Sequence, residues 1–302
     1  MTMNTKAQIR QKRKQRRGKI GAVFLKTFGA LPLLLNRSIG GFFGHCIWLG
    51  KGEAVQVAMK NIALCFPGKN SQEIQQLAKD SVIETAKTAL EAPSIWRQSF
   101  NRYRDLVLMV EGGEFLKPSL VSDENNKGVL LLAPHLGNWE IMGPYIADRV
   151  SSVYMYQPSG IAALDELIIK GRTQNGASLA PTNRKGVKML LDQLKSGGLV
   201  TILPDQVPDD NGGEVAPFFG TPALTMTLVH KLAVRTQCKV IIGFAKRVSG
   251  GFHFIYKEVD PAISGEDTKK SLETMNKEIE ALVMLAPEQY QWEYKRFKGI
   301  DD

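Results

Sequence analysis

Apolar positions change their period along this chain, and the change predicts its architecture. Beyond Ser71 they recur at Ile74, Leu77, Ala78, Val82, Ala86, Ala89 and Leu90. That is the spacing of one helix face, with Ser71 as N-cap and Pro93 ending or kinking the helix. From about residue 105 short runs rich in β-branched residues take over, at 106–110, 129–133, 152–156, 199–203 and 240–245, with 253–256 following a Gly250-Gly251 turn. These predict strands. Helical patterns fill 140–149, 164–173, 185–195, 225–235 and 268–286. Alternation of the two kinds from about residue 105 to 260 predicts an α/β fold, a mostly parallel central sheet flanked by helices on both faces. With no internal repeat and no long polar linker, residues 51–302 are expected to form one domain, preceded by a distinct segment over 1–50.

That first segment has an order of its own. Residues 1–20 carry eight basic side chains, Lys6, Arg10, Lys12, Arg13, Lys14, Arg16, Arg17 and Lys19, and no acid; residues 20–49 are mostly apolar. Lys26, Asn36 and Arg37 interrupt the apolar stretch and no small-residue cleavage site follows, so a cleaved signal peptide is rejected. Pro32 and the Asn36-Arg37 pair should split it into two short pieces, too short to span a bilayer. An amphipathic anchor lying in the membrane interface, its cations on anionic headgroups, fits this order. The competing expectation is a core helix pair behind a frayed tail.

Charge outside the tail is nearly balanced. The chain has 302 residues and a net charge of +9, and the tail holds eight of its 39 basic residues, leaving 31 against 30 acidic ones. A nucleic-acid-binding domain would carry its excess on the folded face, so nucleic acid is not an expected partner. Three cysteines, Cys46, Cys65 and Cys238, with no C-x-x-C spacing, predict neither a disulfide framework nor a metal site.

The richest chemistry lies in GVLLLAPHLGNWE, residues 128–140. An apolar strand ends at Pro134, His135 follows at its carboxyl end, Gly137 and Asn138 form a turn, and Asn138, also a candidate for substrate binding, is placed to cap a helix whose first turn holds Glu140. Ligands and catalytic groups of α/β sheets gather at that edge. On one continuous helix His135 and Glu140 would diverge by about 140°. With His135 in the loop before the helix, Glu140 can turn back onto the imidazole, fixing its tautomer and leaving the other ring nitrogen as a base. A histidine that merely caps or packs fits the bare spacing as well.

Softer candidates stand elsewhere. Asp205, in Pro204-Asp205-Gln206, ends a strand at the same sheet edge and either orients a side chain of the site or starts a turn. Arg184, with Asn183 and Lys185, opens a helix that suits a phosphate, or is a solvated cation behind a plain N-cap. Phe218 and Phe219 either line an acyl groove or belong to the core. His45, His230 and His253 have no nearby carboxylate in sequence and read as structural.

Five blocks, taken in order, carry a resemblance. They are His135-Leu-Gly-Asn-Trp-Glu140, Gly186-Val-Lys with Leu190, Gly198-Leu-Val-Thr-Ile-Leu-Pro-Asp-Gln206, Pro217-Phe-Phe-Gly-Thr-Pro222 and Pro287-Glu-Gln-Tyr-Gln-Trp-Glu-Tyr-Lys-Arg-Phe-Lys298. Together they resemble the bacterial lipid A biosynthesis acyltransferases, the late or secondary acyltransferases of the lysophospholipid acyltransferase superfamily. The resemblance implies an acyltransferase fold and transfer of a fatty acyl chain from acyl carrier protein, which bears it on phosphopantetheine, to a hydroxyl of a Kdo-bearing lipid A precursor. It implies a site at the cytoplasmic face of the bacterial inner membrane, with no cofactor beyond the carrier and no metal. The family's His-x4-Asp/Glu dyad maps onto His135 and Glu140, and Arg172 falls where the family places a functional arginine. Arg172 would hold an acceptor phosphate or the developing oxyanion; alternatively it is a solvated cation at a helix C-terminus. No G-x-S-x-G elbow is present and no cysteine neighbours His135 in sequence, so direct attack by the acceptor alcohol is expected rather than an acyl-enzyme. A glycerolipid acyltransferase or an acyl thioesterase could use the same dyad.

Overall fold

The computed structural model describes residues 21, 23–116, 128–158, 160–174, 176–209 and 212–298. The basic tail therefore lies outside the described residues. Helices α1 (Leu33–Leu49), α2 (Glu53–Cys65) and α3 (Ser71–Arg97) come first. The alternating part runs β1 (Val107–Glu111), β2 (Val129–Leu132), α4 (Trp139–Ala147), β3 (Ser152–Tyr156), α5 (Ala162–Thr173), β4 (Ser178–Pro181), α6 (Arg184–Lys195) and β5 (Leu199–Ile202). After it come β6 (Gly213–Phe218), β7 (Thr221–Met226), α7 (Leu228–Thr236), β8 (Lys239–Val248), β9 (Gly251–Glu258) and α8 (Thr268–Val283).

Seven strands form one sheet in the order β1-β9-β8-β2-β5-β3-β4. Every neighbouring pair is parallel except the β8–β9 hairpin. The expected α/β architecture is therefore present. All four residues of β2 and of β5 are buried, as strands covered on both faces must be. Alternate side chains of β2 serve opposite layers. Leu130 and Leu132 pack with Leu190, Leu232 and Ile279 on one face, and Val129 and Leu131 pack with Ile95, Ile141 and Ile146 on the other.

Several local expectations are corrected. The N-cap of α3 is Asn70, not Ser71: its side chain accepts from the Gln72 and Glu73 backbone N–H groups while the Glu73 carboxylate returns to the Asn70 N–H. This capping box starts the helix one residue early. Pro93 lies inside α3, which runs on to Arg97. Two elements escaped the pattern. Strand β4 is a four-residue edge strand ending in Pro181, tolerated there because an edge need not donate on its outer side. Residues 213–226 form a separate antiparallel hairpin, so α7 begins at Leu228 rather than 225.

The N-terminal stretch breaks at Pro32 as expected, but Asn36 and Arg37 lie within α1. Their polar groups point inward, the Asn36 side-chain N–H₂ donating to the Ser94 hydroxyl and the Phe28 carbonyl and the Arg37 guanidinium to Glu91. Helix α1 crosses α3 closely: a Cβ on Gly40 would come within 2.7 Å of Lys87 Cα, and one on Gly44 within 2.6 Å of Ile83 Cα. Among the described residues no helix is long and apolar enough to cross a membrane.

Candidate active site

The register between β2 and β5 builds the centre of the site. The strands are parallel neighbours with Leu132 opposite Ile202, and three residues beyond each of those positions stand His135 and Asp205. The two loops leave the sheet side by side, so the side chains meet. The Asp205 Oδ1 accepts from the His135 ring Nδ1 at 2.8 Å, and Oδ2 accepts from the His135 backbone N–H at 2.9 Å. Burial alone would raise the Asp205 carboxyl, but the imidazole and its backbone N–H more than offset this and hold it below the ordinary carboxylate range. With Nδ1–H committed to Asp205, Nε2 carries the lone pair, and the Gln206 amide donates to it at 3.2 Å.

The turn after His135 is fixed by backbone. Gly137 adopts φ +64°, and a Cβ there would lie 2.1 Å from the Ala245 carbonyl oxygen, so the position requires glycine. Its N–H donates to the Gln289 carbonyl and the Gln291 N–H donates to the His135 carbonyl, tying the loop to the C-terminal segment. Asn138 then caps α4, accepting from the Glu140 and Ile141 N–H groups.

Glu140 departs from expectation. It does not turn back onto the imidazole: Oε1 accepts from Arg172 Nη2 at 2.5 Å, and Oε2 accepts from Arg172 Nε at 3.2 Å and from the Trp96 indole N–H at 2.7 Å. The cause is direction. From the first turn of α4 the side chain faces α3 and α5, where a guanidinium fork is waiting, whereas the Nδ1 edge of the ring faces β5. Burial would raise the Glu140 carboxyl, yet Arg172 and Trp96 keep it below its usual value. Arg172 in turn stays cationic: burial opposes its charge, but Glu140 outweighs burial. Arg172 is thus neither a lone solvated cation nor a lone anion receptor. Its fork is bidentate on Glu140, with Trp96 and Tyr156 rings 5.8 and 5.5 Å from the guanidinium carbon.

Both pairs border one cavity of about 630 Å³, with His135, Glu140, Arg172 and Gln206 in its wall and Met142, Tyr154, Met226 and Leu228 among its apolar lining. Volume and lining suit a largely apolar ligand with a few oriented polar groups. The softer candidates distribute differently. Asn138 is wholly buried and its amide faces Glu91, so it cannot touch a ligand. Arg184 is exposed in the first turn of α6 and does not line the cavity. Phe218 is fully buried in the core, and Phe219 packs on Phe66 and Trp292. The hairpin carries both away from the cavity, so neither lines it. Sequence reasoning missed Trp96 and Gln206. Gln206 lay within a quoted block; nothing in the helical pattern around Trp96 marked it.

Among the described residues no group of three or more His, Cys, Asp or Glu side chains could hold a metal. Cys65 and Cys238 are buried, Cys46 is exposed on α1, and none of the three lines the cavity.

Over residues 6–299 the chain matches the family described as bacterial lipid A biosynthesis acyltransferase. It is similar to the lipid A biosynthesis palmitoleoyltransferase of Escherichia coli K12, 27% identical over 80% of this chain and 78% of that protein. The lauroyltransferase of the same organism is 23% identical over 92% and 90%, and an acyltransferase of Haemophilus influenzae is 26% identical over 90% and 85%. A family match across nearly the whole length, on a chain whose sheet edge assembles His135, Asp205, Glu140 and Arg172 around an apolar cavity, places this protein among the bacterial lipid A biosynthesis acyltransferases.

Proposed function

We propose that this acyltransferase moves a fatty acyl chain from the phosphopantetheine thioester of acyl carrier protein to a hydroxyl of a Kdo-bearing lipid A precursor, at the cytoplasmic face of the inner membrane. The observation that carries the reading is the His135 ring, oriented by Asp205 through Nδ1 and bordering the apolar cavity. Nε2 takes the proton of the acceptor hydroxyl as its oxygen attacks the thioester carbonyl carbon. Asp205 stabilises the imidazolium that forms. As the carbon–sulfur bond breaks, the imidazolium returns the proton to the leaving thiolate. Arg172, fixed by Glu140 on the cavity wall, would meet negative charge on the tetrahedral carbonyl oxygen or on the acceptor. Direct transfer is favoured because no cysteine lines the cavity.

Membrane seating is supported by the outer face of α1, where Leu34, Leu35, Phe42, Phe43, Ile47 and Leu49 are exposed together. Such a face marks an interaction surface, here read as the bilayer interface. Vesicles carrying the protein, an acyl carrier protein thioester and a Kdo-bearing precursor should yield a product heavier by one acyl chain. Free acid released equally without acceptor would identify a thioesterase, and acylation of lysophospholipid alone would identify a glycerolipid acyltransferase. Mass spectrometry of lipid A from cells with and without the gene gives the same answer in vivo.

A further inference from the structure

Beneath the His135–Asn138 loop lies a buried charge cluster that the proposed chemistry does not use. Glu91, in the last third of α3, is wholly buried. Its carboxylate accepts from Arg37 Nε of α1 at 2.6 Å, from Arg247 Nη2 of β8 at 2.7 Å and from the Asn138 side-chain amide at 2.6 Å. Arg247 also donates to Glu84 at 2.5 Å and to the Thr88 hydroxyl at 2.6 Å. Thr88 completes the clamp by donating to the Gly137 carbonyl at 3.0 Å. Lys87 also pairs with Glu84 at 2.5 Å from the half-buried edge of the cluster, so two carboxylates are met by two guanidinium groups and one ammonium.

Buried ion pairs are poor evidence for stability, because well-packed apolar side chains often do as well; their best-attested use is to hold one arrangement against others. What this cluster holds is the orientation of one amide. Asn138 Oδ1 must face the first turn of α4 to cap it, so Nδ2 faces the other way, and Glu91 is the acceptor found there. An amide turned over would present its N–H₂ to the helix N–H groups and its oxygen to the Glu91 carboxylate. Both contacts would be repulsive. Asn138 is followed two residues later by Glu140, whose carboxylate fixes Arg172 on the cavity wall.

We propose that Glu91 is a positioning residue for the site: acting through Asn138 it sets the start of α4, and with it the Glu140–Arg172 pair, while Arg37 ties the same carboxylate to helix α1. The inference rests on the acyl-transfer reading of the cavity. One oxygen set thus serves both the catalytic loop and the helix whose outer face is apolar, so the seating of α1 and the geometry of α4 share a fixed point.

The test uses the full chain on vesicles, with the thioester and acceptor named above. Asn138→Ser keeps a capping oxygen but is too short to reach Glu91. It should retain the thermal midpoint of the parent within a few degrees, with kcat lowered roughly 10- to 100-fold, the scale of an ångström-sized misplacement, and KM for the thioester little changed. Arg37→Gln, which leaves the Arg247–Glu91 pair intact, should lower kcat several-fold at unchanged vesicle binding, and Arg37→Lys should restore most of it. A folded Asn138→Ser protein with parental kcat and KM overturns the proposal, as does an Arg37→Gln loss that Lys fails to restore. Should the parent itself transfer nothing, the acyl-transfer reading falls first; a working parent with unimpaired variants sinks this inference alone.

Discussion

Asp205 holds His135 twice, one carboxylate oxygen on the ring Nδ1–H and the other on the backbone N–H of the same residue. The double contact fixes both the tautomer of the imidazole and the height of its loop above the sheet. Asp205→Asn offers only one acceptor and points an N–H₂ group at one of the two donors. Turnover should fall by roughly 10²–10⁴, the range for a disabled general base, and His135→Ala should fall to a similar floor. Because the two act as a unit, the double variant should be little worse than either single one. Steady-state rates with purified protein check this. Asp205→Asn turnover near that of the parent would remove Asp205 from the mechanism.

The Glu140–Arg172 pair makes a contrasting demand, on stability as well as rate. Glu140→Ala strands a guanidinium with much of its surface buried, which costs at most about 3–5 kcal/mol. Removing both partners should cost less than removing Glu140 alone, because no charge is left without its partner. A denaturant-unfolding cycle measures the coupling, and additive losses would show that the ion pair is inert. Arg172→Lys cannot reproduce the fork, so activity should drop even where stability is kept.

Acid sensitivity follows from the same carboxylates. Both Asp205 and Glu140 are held below their unfolded values, about 3.9 and 4.3. Above those values both states are ionised and the stabilisation is fully present. As pH falls past about 4 the unfolded chain takes up protons first, and stability is lost progressively towards the lower folded-state values. Denaturant midpoints should therefore be flat, as far as these two groups go, between pH 7 and about 5, then fall. The Asp205→Asn, Glu140→Gln double variant should show a shallower acid limb, and an unchanged limb would mean that other carboxylates set it.

Membrane contact can be separated from folding because the α1 side chains concerned are exposed. Phe42 and Leu49 are 65% and 77% accessible, so Phe42→Glu and Leu49→Glu should leave the thermal midpoint close to that of the parent. Each lost apolar contact is worth about 1.5 kcal/mol, or roughly tenfold in vesicle partitioning. Flotation with anionic vesicles measures it. Parental binding by the double variant would move the membrane contact off α1.

The sequence made the architecture legible wherever periodicity was strong. The short apolar runs of β2 and β5 were legible as strands, and His135 was placed in the loop after β2. Pairing was less legible. Asp205 was placed at the correct sheet edge, but that it rather than Glu140 takes the imidazole depends on β2 and β5 being neighbours, a relation between residues 70 apart. Glu140 could be placed in the first turn of α4, yet its direction is decided by Arg172 and Trp96 on two other helices. The β6–β7 hairpin was hidden for a different reason: its prolines and short strands look like loop, and a two-stranded ribbon owes its existence to packing against α8 through contacts such as the Phe219 N–H on Glu280.

The Gln206 amide on Nε2 has a consequence for chemical fidelity. A base left open to solvent would polarise whatever water lay beside it, and an activated thioester arriving first would meet a nucleophile in large excess over any alcohol. Here the Gln206 amide occupies that lone pair. On the proposed acyl-transfer reading the acceptor hydroxyl would have to displace the amide to reach the ring, which a hydroxyl held on a bound lipid could do more readily than a passing water. Such an internal stopper would oppose wasteful hydrolysis of the donor thioester.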